Sequence, residues 1–127
     1  MGRIQLRPTD AELSILRVLW SRGPSTVRQV HEALADTRDT GYTTTLKLMQ
    51  IMADKGLVKR NETARTHVYS AIAGEEQTQR QLVKDLVDRA FGGSAATLVM
   101  RALSAEGATD DELREIRKLI DDYREKR

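Results

Sequence analysis

Cysteine is absent from the 127-residue sequence, and no run of apolar residues approaches the length of a membrane-spanning helix. The lack of cysteine excludes disulfides, thiolate metal sites and a cysteine nucleophile. The lack of a long apolar run predicts that the chain does not insert into a membrane. With 39% apolar and 31% charged residues, the composition is that of a soluble globular protein.

A targeting signal is also missing from the first ten residues, MGRIQLRPTD. They are basic but contain no apolar stretch of the secretory type, and Gly2 is not followed by Ser or Thr at the myristoylation position. We therefore expect a cytoplasmic protein.

Residue patterns for a metal site or a catalytic site are missing as well. The segment HEALA begins like a zinc-protease helix, but Ala35 stands where the second histidine would be needed, four residues after His31. His67 lies in a predicted strand with no carboxylate cluster around it, and no nucleophile-base pair is visible. The acidic residues at 110–112 follow Thr109, where they cap a helix and complement its dipole. The sequence predicts no metal, no cofactor and no enzymatic activity.

Length and charge favour one compact domain or two small ones with different partners. Residues 1–73 contain 11 basic and 7 acidic side chains, whereas residues 74–127 contain 10 basic and 12 acidic side chains. The halves therefore differ in net charge, +4 against −2, although the chain as a whole is only +2. The first half is the better candidate for contact with a polyanion.

Three helices are predicted in the first half. Two begin with capping boxes, Thr9 with Glu12 and Thr26 with Gln29, each followed by apolar residues at helical spacing. The first ends at Gly23-Pro24. The third begins near residues 42–44 and ends at Lys55-Gly56, where glycine suits the position just after a helix.

After Gly56 the period changes to alternation in LVKRNETARTHVYSA. This predicts a β-hairpin with strands at about 57–61 and 66–71, whose turn is flanked by Arg60 and Arg65. Three helices and a hairpin form a winged helix-turn-helix, in which the third helix enters the major groove of DNA. The fold class is therefore mainly α with a small β-hairpin, and residues 1–73 are predicted to be the DNA-binding domain.

The third helix, within GYTTTLKLMQ and the residues that follow, has a polar edge. Packing through residues 45, 48, 49 and 52 would leave short hydroxyls outward, with Gln50 able to pair with adenine and Leu46 able to meet a thymine methyl. Lys47 would hold a phosphate. In the alternative interpretation the threonines are only caps, and Leu46 and Ile51 belong to a core. The predicted DNA-binding residues are Tyr42, Thr43, Thr44, Leu46, Lys47, Gln50, Arg60 and Arg65.

Residues 74–127 are helical by pattern, in three helices with a heptad-like seam in the last. Three short helices have too little interior to be stable alone, so we expect a partner. A second copy of the chain is the simplest partner, because helix-turn-helix repressors commonly bind two half-sites as symmetric dimers. The predicted dimerisation residues are Leu82, Leu86, Phe91, Leu98, Leu113, Ile116, Ile120 and Tyr123.

Four segments together resemble the penicillinase-repressor family of bacterial regulators, the BlaI/MecI type with its copper-responsive CopY branch. They are LRPTDAELSILRVLW, GYTTTLKLMQIMADKGLVKR, ARTHVYSA and LVDRAFGGSAATLV. The resemblance covers nearly the whole chain. It implies a winged-helix domain, a three-helix domain that interlocks with its twin, and a homodimer that represses transcription from a dyad operator.

Two features of the resembling family are altered in this sequence. Relatives that respond to β-lactams depend on a membrane sensor-protease system and are cut at an Asn-Phe bond, where this chain aligns Arg101-Ala102. Copper-responsive relatives use a cysteine-rich tail, which this chain lacks. Two other functions stay open at this stage: a helical protein-interaction adaptor, and a winged-helix regulator with a small-molecule pocket between its domains.

Overall fold

A computed structural model describes residues 7–127, which form six helices and one two-stranded antiparallel hairpin. The elements are α1 (Asp10–Arg22), α2 (Val27–Leu34), α3 (Tyr42–Lys55), β1 (Val58–Asn61), β2 (Val68–Ala71), α4 (Glu75–Ala90), α5 (Ala95–Glu106) and α6 (Asp110–Lys126). Their order confirms the winged helix-turn-helix followed by three helices. Residues 1–6, which include Gly2 and the start of the predicted first domain, lie outside the described residues.

Local capping explains where most helices begin. In α1 the Thr9 hydroxyl accepts from the Glu12 amide at 3.2 Å, and the Glu12 carboxylate accepts from the Thr9 amide at 3.0 Å. The same reciprocal pair opens α2 at Thr26 and α6 at Thr109. Each box satisfies two amides at a helix start that would otherwise have no partner. The two capping boxes predicted in the first half are confirmed, and so is the predicted helix start after Thr109.

The third helix ends in a Schellman motif that depends on glycine. Gly56 has φ 84°, in the left-handed region, and its amide donates to the Ala53 carbonyl at 3.2 Å. The Leu57 amide donates to the Met52 carbonyl at 2.9 Å. These two bonds satisfy carbonyls at the helix end and turn the chain directly into β1.

The hairpin is shorter than predicted, because residues 62–67 form an exposed turn rather than part of the second strand. The Asn61 side chain accepts from the Thr63 amide and hydroxyl, at 3.0 and 2.8 Å, and this stabilises the turn. Near the start of β2, Ser25 and Tyr69 exchange two backbone hydrogen bonds of 2.9 and 2.8 Å. The hairpin is therefore fixed to the segment that leads into α2.

One hydrophobic core joins α1, α2, α3 and the hairpin. Its buried apolar residues are Ile15, Leu16, Leu19, Val27, Val30, Leu34, Met49, Met52, Val58 and Tyr69. Thr45 is buried beside them, and its hydroxyl donates to the Gly41 carbonyl at 3.3 Å. Leu48 packs against this core as a half-buried residue. The predicted inward face of the third helix is confirmed.

A buried ion pair ties the start of α1 to the end of α3. The ammonium of Lys55 lies 2.8 and 3.0 Å from the two carboxylate oxygens of Glu12, which is 2% exposed. Burial alone would raise the pKa of Glu12, but hydrogen bonds from Lys55 and from the Thr9 amide outweigh it and hold this pKa below its usual value.

The Cα positions divide into two compact units, the first ending at Leu82 and the second running from Val83 to Arg127. The division falls inside α4, because the beginning of that helix belongs with the first unit. Thr78 in that helix is buried, and just before the helix the carbonyl of Ala73 accepts from Trp20 Nε1 at 3.0 Å. The functional boundary predicted between residues 73 and 74 stays a prediction.

The second unit buries little of its apolar surface. Neither α5 nor α6, both described in full, contains a buried residue. Phe91, Leu98 and Ile116 are half-buried, whereas Tyr123 is 68% exposed. Leu86, Leu113 and Ile120 are exposed as well, and half-buried Leu82 closes the first unit. Four of the eight predicted dimerisation residues are therefore exposed in the single chain, and the other four are half-buried.

Candidate nucleic-acid interface

A cleft of about 530 Å³ opens between α2, α3 and the hairpin. Five of the eight predicted DNA-binding residues line it, namely Tyr42, Leu46, Gln50, Arg60 and Arg65. We call this surface the wing cleft. The core that packs α3 against α1 and the Ser25–Tyr69 bridge hold its two walls, so both walls belong to one folded unit.

The other three predicted residues, Thr43, Thr44 and Lys47, are exposed on α3 beside the wing cleft without lining it. Gln50 is exposed one turn further along. The helix thus presents hydroxyl, ammonium and carboxamide groups along its first three turns, while Thr45 and Met49 face the core. Such groups can contact phosphates and base edges.

The burial of Leu46 differs from the prediction. We expected it to point outward, but it is half-buried and packs against the core while also lining the wing cleft. The helix is packed on two sides, so a position next to the main apolar stripe is partly covered. Ile51, which the alternative interpretation assigned to the core, is 38% exposed.

The amino end of α3 has no side-chain cap. Its N-cap is Gly41, whereas the N-caps of α1, α2, α5 and α6 are hydroxyl residues that accept from the helix amides. The first amides of α3 are therefore open to an external acceptor. Helix amino termini carry partial positive charge and bind phosphate groups well.

Two residues of the cleft, Arg28 and Tyr42, belong to a side-chain cluster that the sequence did not reveal. The guanidinium carbon of Arg28 lies 5.5 Å from the centre of the Tyr42 ring, and the His31 ring meets Tyr42 edge-on at 5.9 Å. Cation–π contact of this kind orients both groups. Arg28 thus adds a positive charge from α2 to the wing cleft. The sequence does place Arg28 in the first turn of α2, after Thr26. It does not show the stacking partner, because Tyr42 lies on another helix.

The two hairpin arginines have different surroundings. Arg60 is paired with the Glu62 carboxylate, and the Tyr69 hydroxyl and this carboxylate both raise the pKa of Arg60. Arg65 is exposed and has no ion pair within residues 7–127. Arg65 is therefore the hairpin arginine whose charge is available to a ligand, while Arg60 is held in place beside β2.

A metal-binding cluster and a helix that could cross a membrane are both absent from the part of the chain that the structure describes. Within residues 7–127, no three His, Asp or Glu side chains come together in a way that could hold a metal ion. In the same residues, no helix is long and apolar enough to cross a membrane.

Comparison with known proteins agrees with this architecture. Over 93 residues, 71% of this chain and 67% of the relative, the sequence is 40% identical to the transcriptional regulator BlaI of Mycobacterium tuberculosis. It is 19% identical to the penicillinase repressor of Staphylococcus aureus over 126 residues, which are 99% of this chain and 100% of that protein. The fold matches the solution structure of the DNA-binding domain of the repressor BlaI with a TM-score of 0.50 and 24% identity, covering 61% of this chain and 93% of that domain.

The family model that matches the chain describes the penicillinase repressor, and the match spans residues 8–122. It runs through the winged-helix part and well into α6, so it is not limited to the helix-turn-helix. The chain belongs to the penicillinase-repressor family.

Proposed function

We propose that this protein is a DNA-binding transcriptional repressor that reads a dyad operator as a homodimer. The wing cleft carries the proposal, because it gathers the uncapped amino end of α3, Gln50, Arg28 and Arg65 on one surface. The relatives named above support the same function, since they are described as a transcriptional regulator and a repressor.

The division of roles follows from the chemistry of the side chains. The amides at the start of α3, with Lys47 and Arg28, would hold phosphates and set the position of the helix in the major groove. Gln50 can read adenine with two hydrogen bonds, and the hydroxyls of Thr43 and Thr44 reach base edges or phosphates.

The hairpin would contact the neighbouring backbone of the same duplex. Arg65, at the exposed turn, supplies the free charge for that contact, and Arg60 is oriented by Glu62 and Tyr69. Because phosphate contacts release counterions, affinity should fall with salt by a log-log slope of about −0.9 for each phosphate neutralised. A slope near zero would instead favour a protein-binding adaptor.

A homodimer would account for the apolar surface of the second unit. Leu113, Ile120 and Tyr123 lie on one side of α6 at heptad-like spacing and are exposed in the single chain. A second copy would cover this seam and bring two winged domains to two half-sites, so that the second contact gains from a high effective concentration.

We propose no enzymatic activity and no cofactor, and we place the protein in the cytoplasm, where bacterial DNA lies. A membrane sensor-protease system would be a further partner. The Arg101–Ala102 bond lies within α5, and both residues are exposed. Their chemistry is unlike that of the Asn-Phe pair cut in β-lactam-responsive relatives, so we expect no cleavage at this bond.

The experiment is selection of bound sequences from a random duplex pool with the full chain, followed by affinity measurements. We expect a palindromic site. Gln50→Ala should change the preferred base at one position in each half-site, whereas Lys47→Ala should weaken all sequences about equally. Arg101→Ala, an exposed substitution in the second unit, serves as the control. Recovery of no common sequence, or equal losses for all three variants, would contradict the proposal.

A further inference from the structure

A second cleft, of about 680 Å³, lies in the first unit between α1 and the end of α2. Its lining comes from α1, the end of α2, the link that follows α2, and the start of α4. The wing cleft is lined instead by the start of α2, by α3 and by the hairpin. The two clefts share no lining residue, so this one is a separate surface.

Three arginines dominate the second cleft, which we call the arginine cleft. Arg17 and Arg22 are exposed at its edge, and Arg38 is half-buried and donates to the Ser14 hydroxyl at 3.2 Å. Glu75 is the one acidic residue in its lining. Arg17 and Arg22 have no ion pair within residues 7–127.

Part of the surface charge on the chain is paired within a single helix. On α4, Arg80, Lys84 and Arg89 each pair with a carboxylate one turn away, at 2.9, 3.0 and 3.3 Å. Such pairs neutralise a solvated face with little effect on stability. The arginine cleft gathers three guanidinium groups against a single carboxylate on a concave surface, and within residues 7–127 none of the three is in an ion pair.

The cleft also has an apolar wall. Trp20 and Val18 line it and pack against the core, and the indole of Trp20 is held by its 3.0 Å hydrogen bond to the Ala73 carbonyl. A fixed indole offers a ring surface to a planar or apolar group, while guanidinium groups bind carboxylates and phosphates through paired hydrogen bonds. The volume is in the range of small-molecule sites, which are about 300–1,000 Å³.

We propose that the arginine cleft binds a small organic anion, with its carboxylate or phosphate on Arg17, Arg22 and Arg38 and its apolar part against Trp20. The site is distinct from the DNA-reading surface, and the proposal does not depend on DNA binding. It also differs from a pocket between domains, because every lining residue belongs to the first unit.

Trp20 provides the readout, because it is the only tryptophan in the chain. The full-length protein is titrated with sodium benzoate while the indole fluorescence is recorded, with benzamide as the neutral match and sodium chloride as the ionic-strength control. We expect benzoate to give a saturable change and inorganic phosphate to compete with it. Benzamide should bind about tenfold more weakly or not at all, since it lacks the charge that strengthens the hydrogen bonds.

Variants locate the site. Arg17→Gln with Arg22→Gln changes two exposed residues, so the fold should persist, and we expect about a tenfold loss of benzoate affinity. Arg101→Gln, an exposed arginine of the second unit, should leave the affinity unchanged. Three results would overturn the proposal: an equal response to benzoate and benzamide, an equal loss in the control variant, or displacement of benzoate by a random-sequence DNA duplex. The last result would assign the arginines to a DNA surface.

Discussion

In the first compact unit, ten apolar side chains are buried in one core, whereas α5 and α6 of the second unit, both described in full, bury none. Two helices in each unit begin with a hydroxyl cap, at Thr9 and Thr26 in the first unit and at Ser94 and Thr109 in the second. Local helix signals are therefore equally good in both. The units differ in how far their apolar faces are covered within the single chain, and the exposed faces of the second unit support the proposed dimer.

The contrast extends to charge. The first unit uses a buried ion pair, Glu12 with Lys55, to join elements far apart in the chain. The described ion pairs of the second unit lie within single helices, as for Lys84 with Asp88. Pairs of the first kind restrain tertiary structure, while pairs of the second kind only support a helix that is already formed.

The largest expected effect comes from breaking the seam of the second unit. Ile116 is half-buried and borders the apolar groove between α5 and α6. Ile116→Asp would place an unpaired charge in the proposed dimer interface, a loss on the order of 4 kcal/mol, or about a thousandfold in the dissociation constant. Sedimentation should show monomers. Lys118→Asp, on the opposite side of α6, is the control and should leave the dimer intact. Dimers of unchanged affinity in the Ile116 variant would contradict the account.

The next effect tests the buried pair of the first unit. Lys55→Met would leave the Glu12 carboxylate buried without its partner and should lower the free energy of unfolding by about 2 kcal/mol. This is less than the roughly 3–5 kcal/mol of a fully buried pair, because Lys55 partly reaches water. Urea unfolding followed by Trp20 fluorescence reports on this unit.

Two further variants check the source of that effect. Adding Glu12→Gln should recover part of the loss, since glutamine keeps the capping bond without the charge. The exposed Arg80 pairs with Glu76, and Arg80→Met should cost less than about 1 kcal/mol. Equal losses for Lys55→Met and Arg80→Met would show that burial of the first pair contributes nothing.

The pH dependence of stability tests whether the charge of Glu12 stabilises the fold. The folded-state pKa of Glu12 is lowered from its usual value of 4.5, so its contribution to stability is fully present above that value and is lost as the pH falls through the lowered pKa. The stability difference between the wild type and Glu12→Gln should therefore be largest at neutral pH and shrink as the pH falls below 4.5. A difference that stays constant with pH would mean that the carboxylate charge does not stabilise the fold.

The smallest expected effect on stability comes from substituting Gly41, the residue before the uncapped amino end of α3 at the wing cleft. Gly41 has φ −71°, and a side chain there would meet nothing within 4 Å. Gly41→Asp and Gly41→Asn should each change stability by only a few tenths of a kcal/mol. Asp should weaken binding to the selected duplex about tenfold more than Asn, because its charge takes the place of a phosphate. Equal affinities of the Gly41→Asp and Gly41→Asn variants for the duplex would show that the α3 amides do not contact a phosphate.

Much of the fold could be predicted because it depends on nearby residues. The two capping boxes of the first half, the helix start after Thr109 and the C-terminal glycine at Gly56 each involve partners within a few positions, and all four are confirmed. The hairpin was also predicted, from its alternation, but its strand ends were not. Strand pairing ends at Asn61 and Val68, where the Asn61 side chain stabilises the turn, so Thr66 and His67 lie in the turn and not in the second strand.

The parts that could not be predicted join residues far apart in the sequence. Glu12 meets Lys55 across 43 positions, and Ser25 pairs with Tyr69, yet neither pair has a local signature. Arg28 acquired its place in the candidate site only because α2 brings it over the Tyr42 ring. Leu46 was misplaced because a single period cannot describe a helix that is packed on two sides.

The most direct test of the central claim is the number of chains bound to one operator duplex, measured by sedimentation of the full-length protein with the selected palindrome and with a single half-site. We predict two chains on the palindrome, bound far more tightly than one chain on the half-site, and loss of that advantage in a fragment ending at Leu82, where the first compact unit ends. One chain per palindrome, or equal affinity of the fragment and the intact chain for it, would contradict the account.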